Sequence, residues 1–365
     1  MSKEVMKKAK KDKADEFYTQ LNDIEEEMWY YKEVFREKTI FCNCDDPYES
    51  YFFKYFASNF NAFNLKKLIS TCYDGSPISS TQLTLFDYEP PENKTTKNPH
   101  KIIMEELTDE NQDGATGLAD VELILRNKKN VLSRLKGNGD FRSQECIELL
   151  KTADIVVTNP PFSLLREYVA QLIEYDKKFI IIGNINAVSY KEIFKLIKDN
   201  KLWLGESITS GDREFKVPDY YPLDAATTRI NEKGNKFIRV KGVRWFTNIE
   251  NRARYKDFCV YKKYNPEIYP HYDNYDAIEV SKVDDIPMDW EGVMGVQISF
   301  LEKYNPEQFK IFGYATSVKY NPEIVGLELK PGFKDARPCI KGKIITTRVF
   351  IKRIGGIGWE MPVID

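Results

Sequence analysis

The segment Asn159-Pro160-Pro161-Phe162 has the residue types of a site that binds a flat, polar group. It follows DIVVT, a run of apolar β-branched residues that predicts a strand buried on both faces. Apolar residues at helical spacing come directly after it. In open α/β sheets, ligands bind outside the carboxyl ends of the strands, which is where this segment falls. We therefore predict that Asn159, Pro160, Pro161 and Phe162 are catalytic.

These residue types suit transfer of an activated methyl group to a nitrogen whose lone pair is delocalised, such as the exocyclic amino group of adenine. The Asn159 side-chain oxygen and the Pro160 carbonyl can each accept one N–H bond, and the proline ring holds that carbonyl in place. Such hydrogen bonds strengthen as the nitrogen becomes tetrahedral, so they stabilise the transition state. Phe162 offers a flat face for a base extruded from a duplex. The alternative is a stiff turn without chemistry.

The predicted elements around this segment alternate in the manner of a doubly wound α/β sheet. Strands are predicted at 39–44, 65–74, 154–158, 179–185 and 202–208. Helices are predicted at 15–36, 49–60, 118–135, 164–175 and 190–198. The polar stretch 76–116 is interpreted as an insertion with one strand at 101–107, and two closing antiparallel strands are predicted within 237–249.

The pattern changes after about residue 260 to short β-like runs separated by turn residues. We predict two domains, a catalytic domain at 1–260 and a mixed α/β region at 261–365. The tetrapeptide YNPE, which begins at positions 264, 304 and 320, is interpreted as a recurring turn.

Composition and charge limit the possible classes of protein. A chain of 365 residues with 42% hydrophobic residues can bury a sizeable core, and it contains no apolar run of the ~20 residues that span a membrane. We therefore predict a cytoplasmic protein without membrane association. Six cysteines without a C-x-x-C pair and two distant histidines argue against a metal site.

The formal net charge of −2 does not by itself favour a nucleic-acid partner. Charge is unevenly distributed, however, because residues 330–353 contain eight Lys or Arg and one acid. This basic strip is either a phosphate-facing surface or an ordinary solvated surface.

Several segments together resemble the EcoRI-type adenine-specific DNA methyltransferases, namely CNCDDPYES, GDFRS, DIVVTNPPFSLLREYV, RWFTN and FLEKYNPEQFKIFGYA. The resemblance implies a Rossmann-like, seven-stranded sheet that binds S-adenosylmethionine, and a C-terminal target-recognition region. It also implies N6-methylation of an adenine flipped out of duplex DNA and a monomer, and it is compatible with a companion restriction endonuclease. Adenine methylation in RNA, glutamine methylation in proteins, and an inactive DNA-binding protein are the alternatives.

The resemblance also suggests cofactor-binding residues. Asp140 would accept a hydrogen bond from the adenine amino group of the cofactor, and Phe141 would pack on that ring. The early segment Phe17, Tyr18 and Thr19 would close over the methionine end, and Asn159 would border the cofactor.

Two further assignments are open. The first motif of methyltransferases is usually glycine-rich, whereas here Asp45 and Asp46 follow the first strand without a glycine, so their cofactor contact is an expectation only. Asp74 either binds the cofactor ribose or simply ends the second strand. Likewise, Arg244 and its neighbours Trp245, Phe246 and Asn248 either border the flipped base or lie half-buried in a strand.

Overall fold

The main sheet has eight strands among the residues described in the computed structural model, which are 19–44, 50–72, 99–127, 132–209, 211–217, 228–232, 234–315 and 319–354. In chain order they are β1 Thr39–Cys42, β2 Lys67–Thr71, β3 His100–Met104, β4 Leu132–Arg134, β5 Ile155–Thr158, β6 Lys178–Asn184, β7 Trp203–Leu204 and β11 Val243–Thr247. Across the sheet their order is β4-β3-β2-β1-β5-β6-β11-β7. The four central strands β2, β1, β5 and β6 are parallel, which confirms the α/β class with a large mixed sheet.

Burial on both faces explains the composition of the central strands. Every residue of β1 and β5 is buried, and the β-branched side chains of β5 fit such a position. The two strands pair in parallel, with Ile40 opposite Ile155. Asn43 and Thr158 therefore come to the same level at the carboxyl edge of the sheet.

Seven of the eight helices in the described residues precede the strands of this sheet or connect them, and the eighth lies in the C-terminal part of the chain. They are α1 Leu21–Met28, α2 Lys32–Phe35, α3 Tyr51–Ser58, α4 Leu118–Asn127, α5 Gln144–Thr152, α6 Leu165–Glu174, α7 Lys191–Lys198 and α8 Pro322–Val325. Two begin at serine caps, because Ser50 Oγ accepts the Phe52 N–H at 3.1 Å and Ser143 Oγ accepts the Cys146 N–H at 3.4 Å. These caps fix where α3 and α5 begin.

The predicted helix at 118–135 is wrong in its second half. The helix ends at Asn127, and Leu132–Arg134 forms the edge strand β4, paired antiparallel with β3. The apolar residues at 132 and 135 fit helical spacing, but pairing with β3 satisfies their backbone, as in the bond from Leu135 N to Pro99 O. The extra edge strand also makes the sheet eight-stranded where seven strands were expected.

Two other expectations need correction. The proposed insertion at 76–116 lies largely outside the described residues, and its described part contains β3, which pairs with β2 inside the main sheet. The two predicted closing strands are real but do not pair with each other. Strand β10 Lys236–Lys241 forms a three-stranded antiparallel sheet with β8 Asp212–Val217 and β9 Thr228–Ile230, whereas β11 pairs with β6. The chain changes sheets at Gly242, whose φ of +71° favours glycine.

The chain divides into two compact units, 1–187 with 205–249 and 188–204 with 250–365. The second unit contains a four-stranded sheet in the order β12-β13-β17-β14, and a short hairpin. Their bounds are β12 Ile278–Glu279, β13 Met294–Val296, β14 Phe309–Ala315, β15 Cys339–Ile340, β16 Lys343–Ile344 and β17 Arg348–Arg353. The boundary predicted at residue 260 stays a prediction.

Each YNPE tetrapeptide forms the predicted turn. The Oδ1 atoms of Asn265, Asn305 and Asn321 accept the backbone N–H two residues further on, at 2.9, 2.8 and 3.1 Å. The local sequence is sufficient for this turn, since all the atoms that form it lie within four residues.

The helices of the described residues include none with the length and apolar character of a membrane span.

Candidate active site

The Asn-Pro-Pro-Phe segment lies at the carboxyl end of β5, as predicted. Asn159 is 7% exposed and Pro160 is also buried. Pro161 O accepts the Leu164 N–H at 2.9 Å, which closes a 3₁₀ turn over Phe162–Leu164 before α6 begins. Phe162 is half-buried and packs against the hydrophobic core of the first unit. The turn thus places Asn159 at the sheet edge and leaves part of the Phe162 ring accessible.

A network centred on Asn43 ties three strand ends together beside this segment. Asn43 is 1% exposed, and its Oδ1 accepts hydrogen bonds from Thr71 Oγ1 at 2.9 Å and from the Cys44 N–H at 3.0 Å. Thr158 Oγ1 donates to the Asn43 carbonyl oxygen. Because Thr71 ends β2 and Thr158 ends β5, this network holds the residue before Asn159 against β1.

Two buried polar atoms, one at this edge and one in Thr19, lack a hydrogen-bond partner within the part of the chain that the structure describes. The Nδ2 of Asn43 and the Oγ1 of Thr19 make no hydrogen bond to any described residue. A buried donor or acceptor left unpaired costs about 1–3 kcal/mol. These atoms therefore fit binding of a polar ligand, and a cofactor with amino-acid and ribose groups has the acceptors and donors required.

The GDFRS segment packs against α6, the helix that follows Asn-Pro-Pro-Phe. The Phe141 ring meets Tyr168 edge-on with centroids 4.9 Å apart, and Gln171 Nε2 donates to the Phe141 carbonyl at 3.2 Å. Arg142 bridges Asp140 at 2.7 Å and Glu167 at 2.9 Å. Helix α6 thus brings the two motifs close together, although 17 residues lie between Phe141 and Asn159 in the sequence.

Arg142 sets the electrostatics of Asp140. Its Nε and Nη2 atoms donate to the two Asp140 carboxylate oxygens at 2.9 and 2.7 Å, and these hydrogen bonds raise the pKa of the guanidinium. Asp140 is therefore held in one orientation, and a carboxylate oxygen retains lone pairs for a further donor. Phe141 is only 3% exposed, so at most one edge of its ring is accessible.

The other predicted site residues divide into two groups. Phe17, Tyr18, Asp45, Asp46 and Asp74 lie outside the described residues, so their cofactor contacts stay predictions. Thr19 is described and is buried.

The strand residues near 245 belong to the core instead of bordering a base. Trp245 is 1% exposed and packs edge-on against Phe52, and the Arg244 guanidinium donates to the backbone carbonyls of Val243 and Thr209. Asn248 accepts the Phe179 N–H and donates to the Lys177 carbonyl. The structure agrees better with the prediction that these residues lie half-buried in a strand, and Arg244, Trp245 and Phe246 are buried more deeply than that prediction stated.

Sequence reasoning missed Asn43 and Glu27. Asn43 had a usable signal, because it is an amide that directly follows the buried strand β1, as Asn159 follows β5. Glu27 carries no such signal, since it is one of three consecutive glutamates and the sequence does not show which of them is buried. In the structure, Glu25 and Glu26 are exposed. The Glu27 carboxylate is fully buried, and burial raises its pKa although four hydrogen bonds partly offset this.

The loop between β3 and α4 has a residue spacing that sequence reasoning also missed. Asp109, Asn111, Asp113, Gly114 and Asp120 follow the spacing of an EF-hand calcium loop, with Asp instead of Glu at the last position. Their carboxylates accept backbone N–H groups, as in the bond from Gly114 N to Asp109 Oδ2 at 2.8 Å. Among the described residues, no three acidic, His or Cys side chains form a group that could hold a metal ion.

Known proteins match this chain along nearly its whole length. The family described as adenine-specific methyltransferase EcoRI matches residues 5–354. The chain is 47% identical over 320 residues to type II methyltransferase M.EcoRI of Escherichia coli, covering 86% of this chain and 90% of that protein. It is 39% identical over 359 residues to type II methyltransferase M.MgeORF184P of Mycoplasma genitalium, covering 95% and 98%. It is 36% identical over 357 residues to type II methyltransferase M.MpnI of Mycoplasma pneumoniae, covering 95% and 97%. No solved structure matches significantly.

Proposed function

Because the chain belongs to the EcoRI family of adenine-specific methyltransferases and therefore methylates adenine in DNA, we propose that the reaction takes place at Asn159. The observation that carries this proposal is the position of Asn-Pro-Pro-Phe, which leaves a buried parallel strand at the carboxyl edge of the sheet. The target is the N6 amino group of an adenine flipped out of duplex DNA. An enzyme that acts on a base inside a duplex must extrude that base, because the reacting atom is otherwise inaccessible.

The side chains at this edge provide orientation and charge stabilisation. Asn159 Oδ1 and the Pro160 carbonyl accept the two N–H bonds of the target amino group, and the ring of Phe162 stacks on the base. Replacement of the lost base stacking by an aromatic contact contributes about 1–3 kcal/mol. The hydrogen bonds draw the nitrogen lone pair out of conjugation, so they are stronger in the transition state than in the ground state.

We further propose that S-adenosylmethionine is the methyl donor, which supplies an activated methyl group and its own leaving group. Asn43 Nδ2 and Thr19 Oγ1, which make no hydrogen bond to any described residue, fit such a ligand. Asp140 and Phe141 are assigned to its adenine end. Thr19 is assigned to its methionine end with Phe17 and Tyr18, Asp74 to its ribose, and Asp45 and Asp46 to cofactor contacts without a named group. For these last five residues the support comes from the sequence alone.

The remaining parts of the proposal concern the substrate and the organisation of the protein. Residues 1–260 form the catalytic domain and residues 261–365 recognise the target sequence. The protein acts as a monomer, and a restriction endonuclease of the same specificity accompanies it.

Replacement of Asn159 by alanine tests the proposal. Transfer of labelled methyl from S-adenosylmethionine to unmethylated duplex DNA should fall by a factor of about 10² or more, as for removal of one transition-state hydrogen bond in other enzymes. Binding of cofactor and DNA should change little. Ser163→Ala, an exposed position in the same turn, is the matched control and should retain activity. Undiminished N6-methyladenine formation by Asn159→Ala would refute the assignment.

A further inference from the structure

The basic strip at 330–353 is not one surface. Four of its eight basic residues make internal interactions that occupy their charged groups. Lys330 donates to the Tyr272 carbonyl at 3.1 Å, Arg337 pairs with Asp335 at 2.6 Å, and Arg353 donates to the Met288 carbonyl. Arg348 is buried and pairs with the equally buried Glu279 at 2.6 Å. These four residues stabilise the fold, and each uses part or all of its hydrogen-bonding capacity within it.

The other four, Lys334, Lys341, Lys343 and Lys352, are exposed. Within the described part of the chain, no acidic residue forms an ion pair with any of them. Two of them lie at the tip of the hairpin β15–β16. Ile344 beside them is 47% exposed. The tip therefore presents two lysines that form no ion pair with a described residue, together with an apolar side chain.

The turn of this hairpin is short and conformationally restricted. Lys341 and Gly342 are its two central residues, and their φ values of +49° and +74° are those of a type I′ turn. A left-handed conformation at a residue with a side chain costs about 1–2 kcal/mol. Lys341 therefore adopts a left-handed conformation that glycine or asparagine would adopt at a lower cost.

Two neighbouring side chains hold the hairpin, Asn274 at its base and Asp273 at its turn. Asn274, which is fully buried, donates to the Arg337 carbonyl at 2.8 Å and accepts the Cys339 N–H at 3.0 Å. Asp273 Oδ2 accepts the Gly342 N–H at 2.8 Å, and this hydrogen bond lowers the pKa of its carboxyl group. The carboxylate is therefore ionised at neutral pH and fixes the turn. The conformational entropy of the hairpin is therefore lost during folding and not when a partner binds.

We propose that the hairpin β15–β16 enters a groove of duplex DNA, with Lys341 and Lys343 binding backbone phosphates. A two-stranded β-ribbon fits the major groove, and an exposed aliphatic side chain such as Ile344 can contact a thymine methyl group there. The positive tip is complementary to the phosphates on either side of the groove. The proposal rests on the function stated above and specifies which part of the C-terminal region contacts the substrate.

The test compares DNA binding by the full-length wild type, Lys341→Ala/Lys343→Ala, and Lys341→Gly/Lys343→Ala at several salt concentrations. Glycine suits the positive φ, so the second variant keeps the turn even if alanine strains it. Each phosphate contact contributes about 0.9 to the slope of log K against log salt, so both variants should lower the slope by about 1.8. The control Lys195→Ala/Lys201→Ala removes the same charge from exposed positions elsewhere and should leave the slope unchanged.

The outcomes separate this proposal from the proposed function. A wild type that methylates DNA while both hairpin variants keep the wild-type slope and affinity would overturn the hairpin assignment alone. If the hairpin variants lowered the slope on duplex RNA and left it unchanged on duplex DNA, the assignment of duplex DNA as the partner would be overturned. A wild type that transfers no methyl group to DNA would refute the proposed function itself. Unaltered thermal unfolding and S-adenosylmethionine binding in both variants would show that a lower slope reports lost phosphate contacts.

Discussion

Glu27→Ala should destabilise the fold strongly although Glu27 is one of three consecutive glutamates in α1. Its carboxylate is fully buried and accepts four hydrogen bonds. The donors are Tyr31 Oη at 3.0 Å, the Glu206 N–H at 3.1 Å, and the N–H and Oγ of Ser207, both at 2.8 Å. The carboxylate thus joins α1 to a loop about 180 residues further along the chain.

The size of the effect follows from those donors. Each buried donor that loses its acceptor costs about 1–3 kcal/mol, and the two hydroxyl groups can reorient whereas the two backbone N–H groups cannot. Removing the carboxylate also removes its own desolvation penalty, which offsets part of the loss. We therefore expect a decrease of about 3–5 kcal/mol in the free energy of unfolding, comparable with the loss of one partner in a buried charged network. That is a large share of the ~5–15 kcal/mol typical of a domain.

Urea unfolding followed by circular dichroism measures this loss. Glu25→Ala and Glu26→Ala are matched controls because both side chains are exposed on the same helix, and each should change the stability by less than about 0.5 kcal/mol. Equal m-values in all four proteins would establish that the midpoints report stability. The reasoning fails if Glu27→Ala unfolds at the same urea concentration as the two controls.

Further predictions concern pH, the cofactor and packing beside the active site. Because burial raises the pKa of Glu27 above its ordinary 4.5, the folded state binds this proton more tightly than the unfolded chain. Stability relative to Glu27→Gln should therefore fall as the pH rises from about 4.5 through the raised pKa, and parallel pH profiles of the two proteins would contradict this. Asn43→Ala should weaken S-adenosylmethionine binding about fivefold, the equivalent of about 1 kcal/mol for one hydrogen bond, and an unchanged dissociation constant by calorimetry would exclude Asn43 from the cofactor site. In Gly183→Ala the new Cβ would lie 2.5 Å from Cδ2 of Leu165, the first residue of α6, so we expect a loss of about 1–3 kcal/mol and slower methyl transfer. Gly117→Ala, with no atom within 4 Å, is its control, and equal melting temperatures of the two variants would refute the clash.

The sequence alone determined the features that depend on neighbours along the chain. The run of buried β-branched residues before Asn159 predicted β5, and the proline pair predicted the turn that follows it. The YNPE turns were predictable for the same reason, because Asn side chains bond to backbone only two residues away. The strand and helix alternation also predicted the fold class, since each element carries its own periodicity.

Tertiary structure decided the features that depend on residues far apart in the chain. Asn43 is significant because Thr158, 115 residues later, donates to its carbonyl. Glu27 is significant because three of its four donors lie 179 or 180 residues away. Strand β4 was mistaken for helix because only pairing with β3 distinguishes the two at that spacing. The basic strip was divided by Glu279 and by backbone carbonyls that the local charge count does not include. A hydrogen bond depends on distance in space, and the residue types within one segment do not specify which distant group will complete it.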